Sequence, residues 1–302
     1  MLSMPRRLPI TAIVPTRNEA GNLAACLKSL RFCDQVIVVD SASTDATLRI
    51  AAQHGAEVHQ FAYSGGLPRK RQWAMDNLPI RNRWTLLIDA DERVTPPLRR
   101  ELAEIATADG PADGYWITLR LVFMGRELRH GGSGLRKLSF FRTGRGRFEC
   151  LFAEQDARMS DVEIHEHVIV DGLEGQCRAA MRHENVHSLH RYIEKHNEYS
   201  TWSAELALRR RRGERGSDER KPSLFGNQAE RRRWIMDRLW SLPYGGVLLP
   251  VMRFAYFYIL KLGILDGVPG LYYCGFKAVQ AFHIMAKVRE AESARARGES
   301  IR

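Results

Sequence analysis

Trp84-Thr-Leu-Leu-Ile88 is an unbroken run of apolar and β-branched residues, and it runs directly into Asp89-Ala-Asp-Glu92, three carboxylates in four positions. A run apolar at successive positions reads as a strand buried on both faces, the habit of a parallel sheet. Two carboxylates at i and i+2 on the loop after such a strand suit a hard divalent cation, with substrate phosphates supplying further oxygens. Alone, Asp-x-Asp is more often a solvated turn. Its setting here argues otherwise, because two upstream strands end the same way.

Ile10–Val14 leads into Thr16-Arg-Asn-Glu19, and Gln35–Val39 leads into Asp40-Ser-Ala-Ser-Thr-Asp45. Helical spacing follows each cluster, through Leu23, Leu27 and Leu30 and again over about Thr44–His54. Ala56–Gln60 reads as a third strand, and Pro68 opens a helix through Met75. Alternating strands and helices predict a mostly parallel sheet covered on both faces, which takes its ligands at the carboxyl ends of the strands. From Gly114 the pattern shifts to Tyr115–Val122, Leu135–Phe141 and Val162–Val170, a mixed or antiparallel extension. Helices are expected from Ser188 to about Arg212 and from Gln228 to Ser241. Residues 1–187 are thus expected to form the α/β domain and 188–302 a helical region.

The 302 residues are 44% apolar and 27% charged, which suits a globular protein with a real core and excludes a disordered or collagen-like chain. Lys+Arg 46 against Asp+Glu 35 gives +11, and 38 of the 46 are arginine. This balance favours nucleotides, nucleic acid or an acidic membrane as company. Five scattered cysteines without a Cys-x-x-Cys pair argue against a disulfide scaffold or zinc site and for a reducing compartment. Met1–Pro9 has no apolar core of a secretory signal, and no apolar run reaches the ~18–20 residues of a spanning helix. The absence of Gly-x-Gly-x-x-Gly after a strand, and of any Walker motif, counts against dehydrogenase and P-loop chemistry. His130-Gly-Gly-Ser-Gly134 lacks the strand–helix setting of a phosphate loop.

Ile13-Val-Pro-Thr-Arg-Asn-Glu19, Val38-Val-Asp-Ser-Ala-Ser-Thr-Asp-Ala-Thr47 and Leu87-Ile-Asp-Ala-Asp-Glu92 resemble the family 2 glycosyltransferases of GT-A fold. More narrowly, Asp-Ala-Asp-Glu, a later His-Glu pair and the tail Lys261-Leu-Gly-Ile-Leu-Asp-Gly267 resemble bacterial lipopolysaccharide-core enzymes of the WaaE type. The resemblance implies that Pro15, Thr16 and Glu19 line the nucleotide end of a donor site. Asp40 is then the partner of the donor's base, or else the cap of the next helix; Asp45 reads as that cap. It further implies that Arg71 holds the diphosphate, that Asp89 faces ribose or metal, and that Asp91 binds Mg²⁺ or Mn²⁺. Glu166, in Ile164-His-Glu-His167, matches the family's base, which takes the acceptor's proton in an inverting transfer. His165 and His167 share the other face of that segment without a third ligand nearby. His183 matches a family histidine that touches metal or phosphate, or else is structural.

The expected donor is a nucleotide-sugar, with UDP-sugar favoured, and the expected acceptor is lipid-linked or a cell-envelope polysaccharide. Residues 114–158 are expected to shape specificity, and His130–Gly134 to be an acceptor-side loop or a plain hairpin turn. The stretch Glu205–Arg238 holds eleven basic and six acidic residues. Beyond it, Leu248–Ile259 and Leu271–Phe276 mix aliphatic and aromatic residues with Arg253, Lys261 and Lys277. These segments are either a helical core or an interfacial surface on the cytoplasmic face of the bacterial inner membrane, and the resemblance favours the second. Two other readings compete: a non-catalytic nucleic-acid-binding protein, suggested by the charge, and a sugar-nucleotide-forming nucleotidyltransferase. No nucleic-acid-binding motif supports the first. Thr16–Glu19 is not the Gly-rich basic loop that the second needs.

Overall fold

The computed structural model describes residues 7–64, 68–132, 134–150, 167–184, 188–214, 221–226, 228–240 and 245–298. It falls into two compact units, Met1–Val122 with Gly134–Val186, and Phe123–Ser133 with His187–Arg302. The segment Phe123–Ser133 therefore belongs with the helical residues rather than with the strands on either side of it in sequence.

In the first unit β1 (Leu8–Thr16), α1 (Ala20–Ser29), β2 (Cys33–Asp40), α2 (Thr47–Gln53), β3 (Glu57–Gln60), α3 (Lys70–Asn77) and β4 (Trp84–Leu87) alternate along the chain. There follow β5 (Glu92–Arg93), α4 (Pro96–Ala108), β6 (Gly114–Phe123), β8 (Leu135–Arg142), β9 (Gly146–Phe148), β10 (Val168–Val170) and β11 (Glu174–Glu184); β7 (Arg126–Glu127) lies between β6 and β8. The main sheet runs β3-β2-β1-β4-β8-β6-β11-β5. β1, β2, β3 and β4 are parallel, β8 is antiparallel to both β4 and β6, β6 and β11 are parallel, and β5 reverses against β11. The extension beyond β4 is accordingly mixed. Of the strand expected over Val162–Val170, Val168–Val170 is present, paired with β9, and residues 162–166 lie outside the described residues.

The sheet's core follows from the sequence pattern. Ile10, Ala12 and Val14 of β1 meet Leu23, Cys26 and Leu27 of α1, all fully or nearly buried. α4 starts on Thr95, whose hydroxyl accepts the Leu98 amide at 3.3 Å, with Pro96 and Pro97 in the first turn. It then buries Leu98, Leu102 and Ala106 on one stripe and ends on Asp109 in the left-handed region. Trp84 stacks on Phe140 with centroids 4.8 Å apart, and Arg142 lies 4.8 Å over the indole.

The second unit holds α5 (Leu189–Arg211), α6 (Gln228–Trp240), α7 (Gly245–Ala255) and α8 (Gly267–Ala296). A π-helical turn, Tyr256–Leu260, and a 3₁₀ turn, Gly263–Asp266, join α7 to α8. Phe123, Tyr192, Tyr273 and Phe276 interlock edge-on, with centroids 5.3–6.3 Å apart. The Asp266 carboxylate accepts the amides of Arg129, His130 and Gly131 at 2.9, 3.1 and 2.9 Å. Asp266 thus pins the loop that the sequence left as an acceptor-side loop or hairpin turn. A side chain at Gly131 would strike the Cys274 sulfur and the Gly263 backbone, each 2.9 Å from its Cβ position.

Burial of His196, stacked on Tyr192 at 3.9 Å and near Lys277 and Lys195, lowers its pKa from 6.5 to about 4. A histidine depressed in the folded state contributes stability above its unfolded pKa and loses it as pH falls toward the folded value. Unfolding free energy should therefore drop by on the order of 2 kcal/mol between pH 6.5 and 4 on account of this residue. His196→Phe should flatten that part of a urea-denaturation pH series; an unchanged acid slope would contradict the assignment.

Candidate active site

The carboxyl ends of β1, β2 and β4 meet at one edge of the sheet. Thr16 and Asp40 are register partners, both buried, and the Thr16 hydroxyl donates to Asp40 Oδ1 at 2.8 Å. Asp40 also accepts the Ser43 hydroxyl at 2.5 Å, the Ser43 amide at 2.8 Å and Gln60 Nε2 at 3.4 Å. Pro15 is buried beside this pair, opposite Val39. The neighbouring Ser41 hydroxyl is buried without a hydrogen-bond partner, a polar atom that a ligand at this edge would satisfy.

Cross-links fix the two loops to one another. The Asn18 amide donates to Ser43 Oγ, Thr44 N to Asn18 Oδ1 and the Glu19 amide to Thr47 Oγ1, each at 2.8 Å. Asn18 and Ala42 both adopt positive φ. Asparagine tolerates that region, whereas alanine there is strained, and strain of this kind gathers at functional loops. Asp45 accepts the Thr47 amide of α2 at 2.9 Å and the Ala20 amide of α1 at 3.1 Å, so one carboxylate serves two helix starts. The Glu19 carboxylate accepts Asn22 Nδ2 at 2.8 Å in the first turn of α1. Lys70, fully buried, donates to the Thr16 carbonyl at 2.8 Å and ties α3 to the same edge.

The acidic cluster after β4 meets three cations. Arg71 from α3 pairs with Asp89 Oδ1, and Lys137 from β8 lies 2.8 Å from Asp89 Oδ2. Lys137 also lies 3.2 and 3.0 Å from the two Glu92 oxygens, and Glu92 Oε2 accepts the Asp89 amide at 2.8 Å. His183 Nε2, carried by β11, is 3.3 Å from Asp91 Oδ2. Burial opposes ionisation of Asp89, but Arg71 and Lys137 outweigh it and hold the carboxyl well below the usual carboxylate range. Glu92 is raised, chiefly by burial, with Asp89 and Asp91 adding to the effect and Lys137 opposing it. Burial lowers and Asp91 raises His183, whose pKa is brought up to about 9. Burial likewise opposes the charge on Lys137, yet Asp89 and Glu92 raise its pKa.

β11 earns its register from α4. Glu101 accepts the Arg178 and Ala179 amides at 2.8 Å each where the β6–β11 register shifts, and the Thr95 hydroxyl donates to the Ala180 carbonyl at 2.7 Å. The chain past this bulge is aimed so that His183 lies opposite Glu92.

Asp91 supplies an oxygen donor for a divalent cation, and His183 a nitrogen donor once its ring proton is given up. Among the described residues no cluster of three or more His, Cys, Asp or Glu is arranged to hold a metal ion. A cation at this edge would draw on Asp91 and His183, on Asp89 once an oxygen now held by Arg71 or Lys137 is released, and on further oxygens from a bound diphosphate. The structure thus brings Pro15, Thr16, Asp40, Arg71, Asp89, Asp91 and His183 to one edge. Glu166 and His165 lie outside the described residues. One member of the cluster, Lys137, escapes a sequence reading, and the role of Glu92 as partner of Lys137 and of the Asp89 amide emerges only in the fold. Lys137 comes from a strand 48 residues after Asp89, and a lysine among Arg136 and other basic residues carries no signal of its own.

The sheet order and this carboxyl-edge cluster define a GT-A-like α/β fold with a helical region following it. Residues 11–169, more than half of the chain, match the family model "Glycosyl transferase family 2", and the chain belongs to that family of glycosyltransferase enzymes. It is 28% identical over 206 residues to the lipopolysaccharide core biosynthesis glycosyltransferase LpsC of Rhizobium meliloti, covering 66% of this chain and 72% of that protein. It is 36% identical over 118 residues to a glycosyltransferase of Rickettsia felis and spans 41% of that relative's length. Glucosyl-3-phosphoglycerate synthase of Mycobacterium tuberculosis, solved with Mn²⁺, UDP and glucosyl-3-phosphoglycerate, is 20% identical, with 38% of this chain and 44% of that one covered at a TM-score of 0.30.

Glu92 holds both the Asp89 amide and the Lys137 ammonium, so Glu92→Ala should destabilise the protein by about 2 kcal/mol. Glu92→Gln, which keeps an acceptor for the Asp89 amide, should recover part of that loss in urea denaturation. Equal stability of the alanine variant and wild type would rule out this role for Glu92.

Proposed function

We propose that the protein is an inverting, divalent-cation-dependent glycosyltransferase that moves a sugar from a nucleotide-sugar, a UDP-sugar by preference, to a lipid-linked or cell-envelope polysaccharide acceptor of the lipopolysaccharide type. The convergence of Asp91 and His183 beside the Asp89–Arg71 pair at the sheet's carboxyl edge carries this reading. Membership of family 2 and the likeness to LpsC support the substrate class. Pro15, Thr16, Asp40 and the unsatisfied Ser41 hydroxyl are assigned to the nucleoside, and Arg71 to the diphosphate. Asp91, His183 and Asp89 are assigned to the cation, Mg²⁺ or Mn²⁺. When bound, that cation neutralises charge growing on the departing diphosphate. Glu166 is assigned on the sequence pattern as the base that takes the acceptor hydroxyl's proton.

Asp91→Asn should abolish transfer from a radiolabelled nucleotide-sugar panel to host membranes while leaving the melting temperature near wild type. Glu166→Gln should lower kcat by ~10²–10⁴-fold with nucleotide affinity unchanged. Wild-type transfer by the Asp91 variant would refute the donor-site assignment, and lost nucleotide binding in the Glu166 variant would remove that residue from the acceptor side.

The second unit is proposed to rest on the cytoplasmic face of the inner membrane, against anionic lipid. No single described helix is long and apolar enough to cross a bilayer, but Leu248–Leu260 and Gly263–Ala296 form a pair bent by 71°. Leu260, Ile259 and Val251 on the first arm and Val268 and Phe282 on the second are 56–74% exposed. An exposed apolar stripe punctuated by Arg253 and Lys261 suits burial at head-group depth. The protein should float with vesicles containing anionic lipid and be released by alkaline carbonate. Retention through carbonate, or failure to float at low salt, would each overturn this placement.

A further inference from the structure

The carboxylates that follow β4 are already engaged by basic side chains. Asp89, Asp91 and Glu92 face Arg71, Lys137 and His183, and the contacts between them are direct. Asp89 has a cation on each oxygen, with Arg71 at Oδ1 and Lys137 at Oδ2. The Lys137 ammonium sits between Asp89 and Glu92, within 3.2 Å of three carboxylate oxygens, in the manner of a bound cation. A divalent ion entering alone meets no open oxygen on Asp89 and adds two positive charges beside the Arg71 guanidinium and the Lys137 ammonium. Like charges a few ångströms apart in such a site repel strongly, so the ion alone is held weakly. A nucleotide-sugar diphosphate carries two negative charges of its own, so cation and diphosphate together enter with no net charge.

Resting on the donor-site reading above, we propose that Lys137 is a resident cation that closes the Asp89–Glu92 carboxylates to free divalent metal and moves onto the donor's diphosphate when metal and nucleotide enter together. Lysine suits both places: its ammonium is a point charge on a flexible stem, and its side chain is 24% exposed, with room to swing. The diphosphate replaces the carboxylates as its partner, so the ammonium is never left unpaired, and Asp89 Oδ2 is released for the divalent ion. Lys137 is therefore a positioning residue with two stations. Metal and nucleotide bind with strong mutual dependence because each removes the obstacle to the other.

Titration of MnCl₂ alone into the full-length protein at fixed pH, followed by the electron paramagnetic resonance of free Mn²⁺, tests this directly. Wild type should bind Mn²⁺ weakly, and UDP or GDP should tighten it. Lys137→Met should bind Mn²⁺ alone roughly tenfold or more tightly, because one positive charge has left the site, and should show less tightening by nucleotide. Lys137→Arg, which keeps the charge, should resemble wild type and guards against an effect of refolding or lost packing. Equal Mn²⁺ affinity in Lys137→Met and wild type, with Asp91→Asn weaker than both, would overturn the resident-cation role and leave the donor site standing. Tighter binding in the arginine variant as well would also overturn it. Unchanged binding in both Lys137→Met and Asp91→Asn would remove the metal from this edge and defeat both readings.

Discussion

The site depends on one electrostatic constraint: three carboxylates crowded into Asp89–Glu92 must be neutralised at the edge of a buried sheet. Uncompensated, they would repel one another and pay a desolvation cost of several kcal/mol per ion. The fold answers with one cation from each of three elements, Arg71 from α3, Lys137 from β8 and His183 from β11. Each pairing binds an element to the β4 edge, so the arrangement needed for chemistry also orders the sheet. Removing one partner therefore bears on stability and on ligand affinity together.

The remainder of the first unit keeps this edge in register. Asp40 draws four donors from three segments, and the Asn18–Ser43–Thr44 cross-links set the first loop against the second. Glu101 and Thr95 hold the irregular part of β11 so that its end reaches Asp91. These contacts give the sheet edge a fixed geometry. In the second unit Asp266 does comparable work, gathering three amides of the 129–131 loop with one carboxylate.

Much of this was legible in the residues. Strands β1, β2 and β4 are largely apolar and buried because helices cover both faces, and such runs declare themselves without partners, whereas β3, Glu57-Val-His-Gln60 at the end of the sheet, is partly exposed. The carboxyl-edge clusters were equally plain, since polar residues directly after a buried strand have few structural uses. β11 was not legible. Glu174–Glu184 alternates poorly, with Cys177, Ala180 and Met181 as its buried residues, and it takes its place from α4 and β6 instead of from its own periodicity. Part of the arginine content that kept a nucleic-acid reading open is engaged in internal ion pairs such as Arg93–Glu184 and Arg142–Asp109.

By itself the sequence determined what local pattern can determine: the α/β alternation, the strand ends that carry chemistry, the start of the helical region near residue 188 and the family to which the motifs belong. Only tertiary structure decided what Asp89 touches. Lys137 lies 48 residues from Asp89, and His183 lies 92 residues from its partner Asp91; nothing near Lys137 in sequence marks it as a partner. Hydrophobic periodicity is a property of neighbouring residues, whereas the neutralisation of a buried carboxylate is a property of whatever the sheet order places beside it. β8 inserted antiparallel between β4 and β6 sets that order, and it puts an ammonium against the Asp89 and Glu92 carboxylates.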